Sequence, residues 1–154
     1  MRVAVFFILA STFNLAFACE EEQPCQLSAM EMFLPEAKRY PAPNIRIEKF
    51  IYQKSFGNVN EEISLDKLKE LQEALSSISS SSFKESKTSF DVLAEIILTP
   101  SSIPELKLRT TGTEEEGNML NTFYKAASTL TDYHTKIDKV SVFLQLRISA
   151  AQVN

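Results

Sequence analysis

The stretch that most constrains this chain runs from Met119 to Ile148, where no proline or glycine occurs. Phe123, Ala126, Leu130, Tyr133, Ile137, Val140 and Leu144 recur there at alternating steps of three and four. That spacing keeps one apolar stripe on one side of an α-helix. Thr122, Lys125, Thr129, Asp132, Lys136 and Lys139 repeat at the same steps on the far side, all of them polar. A helix of this length would be a rod of roughly 45 Å that needs apolar partners along its whole length. The pattern therefore predicts an all-α protein, a compact bundle of four to five helices with a long C-terminal helix.

The earlier segments can supply those partners. Ser28 to Glu31 has the spacing of a capping box, with Leu27 and Met32 at staple positions, and predicts a short helix ended near Pro35. Tyr40-Pro41-Ala42-Pro43 reads as a stiff linker. Asn44 opens a second helix carrying Ile47, Phe50 and Ile51, with Gly57 placed to end it. Its β-forming residues suit a strand as well, but alternation breaks at Lys49-Phe50-Ile51, which favours helix. A third helix starts at Asn60 or Ser64 and reaches Ile78, with Leu65, Leu68, Leu71, Leu75 and Ile78 inside, and gives way to the polar run Ser79 to Ser82. Thr88 or Ser89 caps a fourth, built on Phe90, Leu93, Ile96 and Ile97 and stopped at Thr99-Pro100. Residues 101–111 form a long connection whose Ile103, Leu106 and Leu108 can lie against the bundle as a short extended segment, after which Thr113 to Glu116 makes a second capping box at the head of the last helix.

The N-terminus reads as an export signal. Arg2 precedes an apolar run from Val3 to Leu9, and Ala16-Phe17-Ala18 supplies the small-x-small pattern for cleavage after Ala18. Ser11, Thr12 and Asn14 keep this run short of the ~20 apolar residues that a membrane span requires. The expectation is a secreted, extracellular protein with no transmembrane span. It divides into a signal peptide (1–18), an N-terminal segment with a cysteine pair and a short helix (19–43), and a helical bundle (44–154) on which 27–43 packs. Cys19 and Cys25 can pair in an oxidising compartment; a bridge between chains, or lipid on Cys19, is the alternative. A net charge of −4 argues against nucleic acid and anionic membrane surfaces as partners.

Chemistry leaves little trace. His134 is the single histidine, and Asp138 four residues on could orient it as a general base. No nucleophile motif accompanies it, and zinc sites favour several Cys or His ligands. The runs Glu20 to Glu22 and Glu114 to Glu116 lack the alternating oxygen spacing of a calcium loop. No glycine-rich phosphate loop or dinucleotide fingerprint occurs. The reading is of a protein that is not an enzyme and takes no cofactor or metal.

The signal peptide, the helix count, the long connections and the ending Phe143-Leu144-Gln145-Leu146-Arg147-Ile148 together resemble the four-helix cytokines and growth factors. That resemblance implies a signalling ligand whose helix faces bind a cell-surface receptor or other extracellular protein. Beyond Val140 the apolar residues spread to a second side, so Phe143, Leu146 and Arg147 are the candidate partner-binding residues. The alternative is an extracellular carrier holding a lipid or other apolar small molecule in a cavity of the bundle, for which eleven Phe and four Met are suitable lining.

Overall fold

The computed structural model describes residues 28–151, residue 56 excepted. The signal peptide, Cys19 and Cys25 lie outside these residues. Within them the order is β1 (Ser28–Glu31), β2 (Ile45–Lys54), α1 (Val59–Glu62), α2 (Leu65–Phe83), β3 (Phe90–Leu98), β4 (Glu105–Thr110), α3 (Gly117–Ala127) and β5 (Val140–Ile148). Single 3-10 turns at Glu36–Lys38 and Glu114–Glu116 complete it. The five strands form one antiparallel sheet in the order β1-β2-β5-β3-β4, so the last strand in sequence lies at its centre. The expected all-α bundle is therefore corrected to a mixed α and β fold, and the resemblance to four-helix cytokines falls with it.

Each misread segment has a physical explanation. The long C-terminal helix stops at Ala127, without proline or glycine. Hydroxyls end it instead: Ser128 Oγ donates to the Tyr124 carbonyl at 2.8 Å and Thr129 Oγ1 to that of Ala126 at 2.7 Å. The backbone tightens at the same point, as the Thr129 and Leu130 amides donate to carbonyls only three residues back. After a loop through His134 and Asp138, β5 begins at Val140. Ile137, placed by the helical reading on the inner stripe, is 78% exposed.

In β2 the broken alternation marks a β-bulge rather than a helix. Ile47 pairs with Leu146 and Lys49 with Gln145, leaving Glu48 as the extra residue. Ile45, Ile47, Phe50, Tyr52 and Lys54 consequently all point to one side and are buried. Gly57, just beyond the strand, adopts φ +74° in the turn to α1. In β3, Phe90, Val92, Ala94, Ile96 and Leu98 alternate strictly inward. Leu93 and Ile97 are apolar on the other side, so the same residues also fit a three-four helical spacing. The segment from Ser28, expected as a helix, is the edge strand β1 paired with β2. Leu106 and Leu108 of the long connection belong to the opposite edge, β4.

The third predicted helix is present as α2. Ser64 caps it by accepting from the Lys67 amide, and Leu68, Leu71 and Leu75 are fully buried. It runs on through the serines to Phe83, which is fully buried; buried Ser79 on the same stretch returns its hydroxyl to the Leu75 carbonyl at 2.7 Å. Leu65 at its start is exposed. The Thr113 capping box also forms. Buried Glu116 accepts from the Thr88 hydroxyl across the fold and from the Thr113 hydroxyl and amide; these bonds, the Thr88 one foremost, hold its carboxyl below the usual range. Phe83 stacks on Phe123 of α3 at 5.3 Å and meets Phe90 of β3 edge-on at 5.8 Å. That trio joins both longer helices to one side of the sheet, where the apolar core lies. No helix among the described residues is long and apolar enough to cross a membrane.

Candidate functional site

Strand registers decide which residues share the second side of the sheet, the one turned away from the core. Lys49 faces Gln145, Gln145 faces Leu93 and Leu93 faces Arg109, forming one row across β2, β5, β3 and β4. The next row runs Ile51, Phe143, Glu95 and Lys107. Side chains at directly opposed positions point to the same face. Among the described residues no helix lies against these rows. Their apolar members are Ile51 on β2, Phe143 on the central strand β5 and Leu93 on β3; Gln145 and Glu95 lie among them, and Lys49, Arg109 and Lys107 stand at row ends.

A hollow of about 480 Å³ lies on this face, lined by Ala29, Lys49, Ile51, Gln53, Asp91, Leu93, Arg109, Phe143 and Gln145, with Val92, Thr110 and Thr111 at one end. Its size falls within the range of small-molecule sites. Phe143 is only 7% exposed although it points away from the helices.

The electrostatics of the lining are uneven. Asp91 is ion-paired with Arg147, whose Nε sits 3.3 Å from its Oδ1, while Nη1 of the same guanidinium reaches Glu48 Oε1 at 3.3 Å. Arg147 thus ties β2, β5 and β3 together across the sheet. Glu95 accepts a long bond of 3.5 Å from the Ser141 hydroxyl. Lys49 and Arg109 have no carboxylate within ion-pair distance among the described residues.

The three residues expected to form a partner site do not share a surface. Residues 143 and 147 fall on one side of a strand and 146 on the other. Leu146 is fully buried beneath the helices, Phe143 lines the hollow, and Arg147 is held between two carboxylates at its rim. The sequence reading did not single out Lys49, Ile51, Leu93 and Arg109 for this face, since they come together only through strand pairing. Leu93 left a signal, being an apolar residue at an outward position of an otherwise alternating strand.

A second cluster draws on residues weighed for chemistry. Lys54 Nζ is 2.6 Å from Glu62 Oε1 and 3.2 Å from Asp138 Oδ2. The other Glu62 oxygen accepts the Ile137 and Asp138 amides at 2.8 and 2.9 Å. These bonds, the Lys54 one foremost, pull the Glu62 carboxyl down to about 2, and the same contact raises the Lys54 ammonium. A protonated amine held by two carboxylates has no lone pair to offer as a nucleophile. The cluster fastens α1 and the loop before β5 to the end of β2. Asp138, weighed in the sequence as a residue that could orient His134, engages Lys54, and His134 is an exposed loop residue. No group of His, Cys, Asp and Glu among the described residues could hold a metal ion.

Comparisons with protein-family models, with curated proteins and with solved structures find no match for this chain.

Proposed function

We propose that this protein is an exported binding protein that carries a small, largely apolar molecule against the second face of its sheet. The observation that supports the reading is the hollow of about 480 Å³ over Ile51, Leu93 and Phe143. Outward apolar residues on β2, β3 and β5 cost solubility without adding to the core beneath the helices, and a ligand placed on them removes that surface from water. The lining also mixes apolar residues with a few polar groups, Gln145 in the middle and Lys49 and Arg109 at the ends of its row, a combination suited to both affinity and orientation. This reading takes up the alternative drawn from the sequence, a carrier, and puts its ligand on the sheet instead of in a cavity of a helical bundle.

Native mass spectrometry of gently purified protein tests this together with titration by a neutral fluorescent probe such as Nile red. Co-purified small molecules, or saturable binding that Leu93→Glu removes from a still folded protein, is the expected result. A protein that arrives empty and binds no probe overturns the carrier reading, and would make the face a docking surface for an extracellular protein.

A further inference from the structure

The charges around the hollow carry information about its occupant. The whole chain has a net charge of −4. The lining of the hollow has the opposite sign: it holds two cations, Lys49 and Arg109, against one carboxylate, Asp91, and among the described residues neither cation has a carboxylate within ion-pair distance. They stand at opposite ends of one row, three strand spacings apart, or about 14 Å. Between them lie Gln145 and Leu93, with Phe143 and Ile51 in the adjoining row.

From this arrangement we infer, building on the carrier reading, that the ligand is an anionic amphiphile. Its head group is a carboxylate taken by Arg109, and its tail runs over Leu93 and Phe143 towards Ile51. Arg109 is the better anchor of the two cations, since its planar fork matches both oxygens of a carboxylate whereas an ammonium offers a point charge. It projects from β4, an edge strand, so a head group there keeps contact with water while the tail is covered. Lys49, at the far rim, adds to the positive potential without touching the head.

Three probes of equal chain length read this out: dodecanoate, 1-dodecanol and dodecyltrimethylammonium, each displacing Nile red from the full mature protein. Dodecanoate should displace it at a concentration at least tenfold lower than the other two, with the margin shrinking as salt is added. Arg109→Gln should abolish the margin so that acid and alcohol compete alike. Lys107→Gln, on the same strand but outside the hollow, should retain it. Circular dichroism and melting confirm that each variant is folded. Equal displacement by acid and alcohol in the parent protein would overturn the anionic inference and leave the carrier reading standing. A margin that survives Arg109→Gln but disappears in Lys49→Gln would overturn the assignment of the anchor. Failure of Nile red and all three probes to bind would sink the carrier reading itself.

Discussion

Lys54 and Glu62, eight residues apart in the chain, meet as an ion pair of 2.6 Å with only 6% and 4% of their side chains exposed. The pair has a defined consequence for pH. Glu62 titrates near 2 when folded and at about 4.3 in an unfolded chain. A carboxyl whose folded pKa is depressed stabilises the fold above its unfolded value and loses that contribution as pH falls through the folded one. Stability should therefore decline between about pH 5 and 2, and Glu62→Gln should be less stable at neutral pH with a flatter acid limb. Urea midpoints measured across that range check it, and parallel curves for parent and variant would count against the pair. The raised Lys54 acts oppositely: its contribution is present below the ordinary lysine value and fades only at alkaline pH.

Phe83 is the contact point of α2 with α3 and β3, fully buried between Phe123 and Phe90. Phe83→Ala should cost about 3–5 kcal/mol, as other buried aromatic truncations do. Phe33→Ala, at 81% exposure, should stay within about 0.5 kcal/mol. Denaturant melts of the two variants would disagree with the described core if their effects were similar.

Neighbours on β5 should behave differently because they face opposite sides. Leu146→Ala should destabilise by about 2–5 kcal/mol. Arg147→Ala breaks two partly exposed ion pairs and should cost about 1 kcal/mol or less. Thermal unfolding separates these values, and a large loss at Arg147 with little at Leu146 would reverse the strand's facing.

Tyr52 donates its hydroxyl to the Leu68 carbonyl of α2 at 2.8 Å, inside the core. Burial, with Tyr133 a smaller influence, pushes its phenol far above the ordinary value. In a spectroscopic alkaline titration Tyr52 should remain protonated well above the ordinary tyrosine range and should titrate only as the fold is lost. Tyr52→Phe should cost about 1 kcal/mol, the net worth of one internal hydrogen bond, and should remove that late phase.

The elements legible from residues alone are those whose stabilising contacts are local. Ser64 reaches the Lys67 amide, Thr113 and Glu116 bond each other, and Leu68, Leu71 and Leu75 follow one another on a single helix face. Every one of these contacts spans four residues or fewer, so a short window of sequence contains both partners. The inward residues of β2 and β5 were likewise visible as apolar, though not as strand. Only tertiary structure decided that Ile47 lies against Leu146, that Val92 lies against both Leu146 and Thr110, and that Glu48 is pushed out as a bulge. Leu93 and Phe143 were ambiguous because strands with apolar residues on both sides satisfy helical and extended periods alike. Their period is resolved by strand partners 16 to 92 residues away, and strand preference depends on such neighbours more than on the backbone itself. The candidate site has the same origin: Lys49, Leu93 and Arg109 share a row only because β5, the last strand made, inserts between β2 and β3.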